Sequence, residues 1–173
     1  VNLDGFTLTH TYDLVEIPDQ AEVDRFLPPF QTTNKLDMDH PMTLCATIGP
    51  AYHTEGRIQQ CQAFETAKRK IQEIDAEFAR IFGRTYHGMY EEYRCEDAEQ
   101  VLVATGSVAG TTRVVVNELR AHGRRVGMIK LKSFRPFPKE FFASLGGRFQ
   151  ALGVIDKSIS FGYDGTIFGD VKS

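Results

Sequence analysis

The spacing of apolar residues changes period along the chain, and each period predicts a different element. Phe6, Leu8, His10 and Tyr12 alternate with Thr7, Thr9 and Thr11. That period of two predicts a two-faced strand in an extended stretch over residues 1–17. Pro18-Asp19 then opens a short helix, with Asp19 as its N-cap and Val23, Phe26 and Leu27 as its apolar side. Pro28-Pro29 ends it. From about Thr54 to Phe82, Phe64, Ala67, Ile71, Ile74, Phe78 and Ile81 recur at steps of three and four. This predicts a long amphipathic helix, and Gly83 suits the position just past its end. Lys68, Arg69, Lys70, Glu73, Asp75, Glu77 and Arg80 fill the other faces.

The second half reads differently. Residues 86–95 (YHGMYEEYRC) have an extended, half-exposed pattern. An apolar strand, Val101–Thr105, runs into the small-residue loop Gly106-Ser107-Val108-Ala109-Gly110. A helix pattern follows and stops at Gly123. A second apolar run, Val126–Leu131, ends in Ser133-Phe134-Arg135-Pro136-Phe137-Pro138. Pro138 opens another helix with Phe141, Phe142 and Leu145 inward, closed by Gly146-Gly147. Ala151–Ile155 is a third strand ending at Asp156, and the glycine-punctuated SISFGYDGTIFGD shows no clear period. Strands joined by crossover helices predict an α/β fold with a three-layer, open, mostly parallel sheet. An extended connector precedes it: residues 28–51 hold four of the seven prolines, with Asn34, Asp37, Asp39 and Gly49. The chain opens on Val1 and stops at Ser173 in mid-pattern, so it is expected to be a piece of a larger protein.

Composition narrows the function classes. The 173 residues are 42% hydrophobic and 25% charged, with a net charge of −3, which carries no basic footprint for nucleic acid. No apolar run approaches the roughly 20 residues of a membrane span. Cys45, Cys61 and Cys95 are odd in number, far apart and outside any CxxC. That argues against a disulfide framework and against a zinc or iron–sulfur site, and fits reduced thiols in the cytoplasm.

Open α/β sheets place ligands at the carboxyl ends of their strands. Here those ends are Gly106-Ser107, Ser133–Arg135 and Asp156. The Gly106–Gly110 loop stands where a phosphate loop stands, but Val108 occupies the place of the second dinucleotide glycine and no Walker lysine follows. The alternative is a tight βα turn with Ser107 capping the helix. Arg135 suits a carboxylate or phosphate clamp, or a tie to a loop carbonyl or a neighbouring subunit. Asp156, with Lys157 and Ser158 beside it, stands at a common catalytic position and equally at a common capping position. His10, His40, His53, His87 and His122 form no HxH or HxxxH, and His53 with Glu55 is too small a set for a metal. His122 suits a helix C-terminus. Tyr86, Tyr90 and Tyr93 with Glu91, Glu92 and Glu96 form a polar aromatic patch, either a subunit contact or an exposed ribbon. No catalytic set emerges.

Several short motifs, in order, carry a resemblance. They are Leu3-Asp4-Gly5-Phe6 with Thr9-His10, Val15-Glu16-Ile17-Pro18, and Phe26-Leu27-Pro28-Pro29. Gly49-Pro50, Glu96-Asp97-Ala98-Glu99, Thr105-Gly106-Ser107, Phe134–Pro138 and Ile159–Gly165 complete them. Together they resemble the C-terminal half of the α-subunit of the 2-oxoacid:ferredoxin oxidoreductases. The resemblance implies three parts. Residues 1–17 would be the last strand of an upstream thiamine-pyrimidine-binding domain. Residues 18–95 would be a connector with the long helix. Residues 96–173 would be a transketolase C-terminal-like domain, truncated at its end.

It further implies oxidative decarboxylation of a 2-oxoacid with coenzyme A and ferredoxin or flavodoxin, run reversibly. Thiamine diphosphate, Mg2+ and [4Fe-4S] clusters would serve the complete enzyme, bound outside this chain. The partners would be a pyrophosphate-binding β-subunit, a γ-subunit and a ferredoxin-like δ-subunit. No catalytic residue of the family falls on these positions, so the chain alone is expected to be inactive. Gly106, Ser107 and Arg135 remain candidates for coenzyme A or nucleotide contact. A helix-mediated assembly role for the Phe64–Ile81 stripe is a third possibility.

Overall fold

The computed structural model describes residues 2–45, 47 and 49–173. Val1, Ala46 and Ile48, which belong to the expected opening stretch and connector, lie outside the described residues. The chain divides into two compact units, Glu16–Thr85 and a discontinuous one made of Val1–Val15 with Tyr86–Ser173.

The Glu16–Thr85 unit holds two helices, α1 (Gln20–Phe26) and α2 (Pro50–Phe82). Helix α2 is 33 residues long and begins four residues before the expected Thr54, because Pro50 occupies the first turn, where its missing N–H costs nothing. It ends as expected: Gly83 takes φ +70°, and its N–H donates to the Ala79 carbonyl. Phe26 of α1 meets Phe78 and Phe82 edge-on, with ring centroids 5.3 and 5.7 Å apart. The last turns of the apolar stripe are thereby covered. Asp19 stands at the N-cap of α1 but makes no side-chain capping bond, contrary to expectation.

The second unit is the α/β body. Its strands are β1 (Tyr90–Tyr93), β2 (Gln100–Thr105), β3 (Val126–Leu131) and β4 (Ala151–Val154), in the order β1-β3-β2-β4. The pairs β2–β3 and β2–β4 are parallel, and β1 lies antiparallel on β3, Tyr90 opposite Leu131. Helix α3 (Val108–Ala121) covers one face, and α4 (Lys139–Ser144) and α5 (Thr166–Lys172) cover the other. Strand alternation builds both cores. Val101, Val103, Ile129 and Leu131 pack with Phe142, Leu145 and Ile167, while Ala104 and Met128 pack with Ala109 and Val116. The result is the expected three-layer, mostly parallel α/β sheet.

Two expectations fail. No strand forms over residues 2–17: Gly5–Thr9 form a turn instead. The threonines that suggested a pleat bond locally, Thr9 accepting from the Phe6 amide at 2.9 Å and Thr11 donating to the Thr7 carbonyl at 2.7 Å. Conversely, the aperiodic tail contains α5, whose Ile167 and Val171 reach the core one turn apart. The patch of tyrosines and glutamates is no free ribbon. Tyr90 stacks on Phe141 at 3.5 Å, and the Tyr93 hydroxyl donates to Asn117 at 2.7 Å. Glu91 pairs with Arg113 and with Lys132.

Candidate functional site

The carboxyl ends of β2, β3 and β4 converge on one edge, and each carries a polar group the sequence pointed to. At the end of β2, Gly106 turns the chain with φ +60° into Ser107 and α3. The Ser107 side chain does not cap the helix. Its hydroxyl donates to the carboxylate of Asp4, and its backbone N–H donates to the same oxygen at 3.2 Å. Glycine serves the left-handed turn here, while a Cβ on residue 106 would stand at an ordinary contact distance, 3.4 Å, from that oxygen. Lys157, just past β4, donates to both Asp4 oxygens at 2.8 and 2.9 Å.

At the start of α3 a backbone N–H, a hydroxyl and an ammonium converge on one carboxylate. The anion is supplied by the chain itself. The Lys157 ammonium and the Ser107 hydroxyl pull the Asp4 carboxyl down to about 2.

Arg135 follows the same logic at the end of β3. Its guanidinium makes a fork on Asp170 of α5, with Nη–O distances of 2.8 and 3.3 Å. It also donates to the Phe134 carbonyl at 2.7 Å and lies 4.2 Å from the Phe134 ring centroid. The carboxylate it was suited to clamp is internal.

Asp156, at the end of β4, accepts from the Ser158 amide at 2.8 Å and from the Ile167 amide at 2.7 Å. Of its two sequence readings, the capping one holds: it satisfies an orphan N–H in the first turn of α5. His122 places its Nδ1 2.8 Å from the Glu118 carbonyl at the end of α3.

Sequence reasoning missed Asp4, Lys157 and Asp170 as partners, since each lies far along the chain from the group it meets. Among the described residues no group of three His, Cys, Asp or Glu side chains is placed to hold a metal. All three cysteines are free, and burial pushes the Cys95 thiol up. An apolar cavity of about 330 Å³ lies beside α3, lined by Leu102, Val116, Leu119 and Gly153. It also touches Gln100, Val126 and Ala151, the first residues of β2, β3 and β4, so it opens at the opposite end of the sheet from the carboxyl edge.

Residues 98–173, which build this edge apart from Asp4, match the family model described as pyruvate:ferredoxin oxidoreductase core domain II. Residues 1–76 match a second model from the same enzymes, described as pyruvate flavodoxin/ferredoxin oxidoreductase, thiamine diP-bdg. The chain belongs to the 2-oxoacid:ferredoxin oxidoreductase family. It is 44% identical to pyruvate synthase subunit PorA of Methanothermobacter thermautotrophicus over 173 residues, all of this chain and 45% of that relative. Against PorA of Methanosarcina barkeri the identity is 40%, over all of this chain and 43% of the relative. Ketoisovalerate oxidoreductase subunit VorA of Pyrococcus abyssi is 37% identical, over 97% of this chain and 43% of its own length. The chain therefore spans less than half the length of the curated relatives it matches.

Among oxidoreductases of this family a thiamine diphosphate site is implied. The carboxyl edge described above does not fit that group. A diphosphate would meet the Asp4 carboxylate on Ser107 and the Asp170 carboxylate on Arg135, two like charges at hydrogen-bond range.

Proposed function

We propose that this chain is a non-catalytic, structural part of a thiamine-diphosphate-dependent 2-oxoacid:ferredoxin oxidoreductase. The assembled enzyme converts pyruvate, coenzyme A and oxidised ferredoxin into acetyl-CoA, carbon dioxide and reduced ferredoxin, reversibly. Thiamine diphosphate supplies the carbanion chemistry when bound. In this reading it sits with Mg2+ outside the chain, as do the [4Fe-4S] clusters. Residues 1–17 close the upstream pyrimidine-binding domain, 18–95 form the connector with the long helix, and 96–173 form the transketolase C-terminal-like domain. The partners are a pyrophosphate-binding subunit, a γ-subunit, a ferredoxin-like subunit and ferredoxin or flavodoxin, all in the cytoplasm. No helix among the described residues is long and apolar enough to cross a membrane.

The observation that carries the non-catalytic role is the internal commitment of the carboxyl edge. Ser107 and Lys157 hold Asp4, Arg135 holds Asp170, and Asp156 caps α5. Groups spent on the fold are not poised for a substrate. Pyruvate is favoured over 2-ketoisovalerate because the 44% identity is to a pyruvate synthase subunit and the 37% to a ketoisovalerate enzyme subunit.

Calorimetry on the purified 173-residue chain tests the reading, with no thiamine diphosphate binding expected. Tight binding by the chain would overturn it. In the assembled enzyme, ferredoxin reduction should be faster with pyruvate than with 2-ketoisovalerate, and the reverse order would overturn the substrate assignment.

A further inference from the structure

The residues that meet at Asp4 come from two different family domains. Asp4 lies in the stretch 1–76, which matches the model described as thiamine diP-bdg, while Ser107 and Lys157 lie in the stretch 98–173, which matches core domain II. Residues 2–15 are nevertheless part of one compact unit with 86–173. The Asp4 side chain is only 14% accessible. It accepts from the Ser107 amide at 3.2 Å, from the Ser107 hydroxyl, and from the Lys157 ammonium through both oxygens at 2.8 and 2.9 Å.

The polar groups of the carboxyl edge fall into two sets. Arg135 and Asp156 are paired inside the α/β body, with Asp170 and with the Ser158 and Ile167 amides. The Ser107 hydroxyl and the Lys157 ammonium are different: among the described residues their partner is Asp4. Ser107 follows β2 and Lys157 follows β4, and those strands run parallel. The body thus brings an amide, a hydroxyl and an ammonium to one point and supplies no carboxylate of its own there. Asp4 fills that point from the other family domain. An apolar contact is non-directional and would tolerate sliding. Charge-assisted bonds from two strand ends fix a position.

We infer that the carboxyl edge between β2 and β4 is the docking face of the α/β body for the thiamine-binding domain of the same subunit, with Asp4 as the positioning residue of that joint. The inference rests on the reading of residues 1–17 as the close of that domain. It gives the edge a protein partner where open α/β sheets ordinarily take a ligand. Coenzyme A or a nucleotide would have to displace the Asp4 carboxylate from Ser107 and Lys157 to bind there. Asp4 acts through placement: it fixes the cofactor-holding domain on the body.

Zero-length cross-linking of the assembled enzyme tests the contact. A carbodiimide joins a carboxylate to an ammonium as an amide only where the two already touch. It should couple Asp4 to Lys157, read by mass spectrometry as one peptide containing both. Asp4→Asn and Lys157→Met should each abolish that peptide, while Glu91 and Lys132, paired within the body, still couple and report that it is folded. Ferredoxin reduction with pyruvate tests the positioning role. Each variant should raise the thiamine diphosphate concentration for half-maximal rate by about three- to tenfold, the scale of a partly exposed charge-assisted bond. The rate at saturating cofactor should change little. The double variant should be no worse than the more affected single one, because both remove the same joint. Asp4→Glu, which keeps the charge, should recover most of the loss. Absence of the Asp4–Lys157 peptide where Glu91–Lys132 couples would overturn the inference. So would an unchanged cofactor requirement in both variants, or losses that simply add. A wild-type enzyme that needs no thiamine diphosphate would overturn the functional reading and the named partner with it. The cross-link tells these failures apart, since it forms without the cofactor.

Discussion

The backbone N–H of Ile167 donates to Oδ2 of Asp156 at 2.7 Å, joining the end of β4 to the start of α5. The contact depends on a third residue. A Cβ on Gly165 would stand 2.5 Å from that oxygen and 2.8 Å from its carboxyl carbon. Asp156→Ala should cost about 1 kcal/mol, the usual value of a lost helix cap. Gly165→Ala should cost at least as much, because it evicts the carboxylate and adds a steric conflict. Urea unfolding followed by circular dichroism would measure both. A neutral Gly165→Ala variant would show that the carboxylate does not sit where the structure has it.

Arg135 and Asp170 offer a second measurement. Their fork is partly exposed, the side chains being 49% and 25% accessible, so the pair should couple weakly, by roughly 0.5–1 kcal/mol. A double-mutant cycle with Arg135→Ala and Asp170→Ala in urea isolates that coupling. Zero coupling would return Arg135 to the pool of ligand-binding candidates.

Glu91 predicts a pH dependence. Burial pushes its carboxyl up, and hydrogen bonds from Arg113 and Lys132 more than reverse that, leaving it below the usual glutamate range. A carboxyl held down in the folded state stabilises the protein above its unfolded pKa and ceases to as pH falls through its folded pKa. Glu91→Gln should therefore lower Tm at neutral pH, at a cost of about 1–3 kcal/mol for the partners left unpaired. The gap to wild type should close on the acid side, below the ordinary glutamate range. A gap that persists unchanged at acid pH would mean that packing, not charge, is the cause.

Gly127 is a matter of space. A Cβ there would lie 2.7 Å from the Arg94 carbonyl and 3.0 Å from the Cys95 sulfur. The carbonyl belongs to backbone and cannot swing away. Gly127→Ala should cost about 1–3 kcal/mol through overpacking, read as a fall in Tm. An unchanged Tm would show that the segment at Arg94–Cys95 yields freely.

Much of the architecture was legible in the sequence because it rests on local pattern. The stripe from Phe64 to Ile81 and the glycine after it mark α2, and the apolar runs at Val101 and Val126 mark the paired central strands. Residues 2–17 misled for a physical reason: alternating threonines mimic a pleat, yet their hydroxyls bond to nearby backbone in a turn. Helix α5 escaped because it is one short element whose first turn is satisfied by a carboxylate eleven residues upstream of Ile167.

The candidate site divides the same way. Sequence alone determined that Gly106, Ser107, Arg135 and Asp156 stand at the carboxyl ends of parallel strands, since strand–loop–helix order places them there. It could not determine what they hold. Asp4 lies 103 residues from Ser107 and 153 from Lys157, and Asp170 lies 35 from Arg135. No periodicity links positions so far apart. Only the tertiary fold brings Asp4 onto Ser107 and Lys157 and Asp170 onto Arg135, and it thereby pairs the polar groups at the strand ends with carboxylates from elsewhere in the chain.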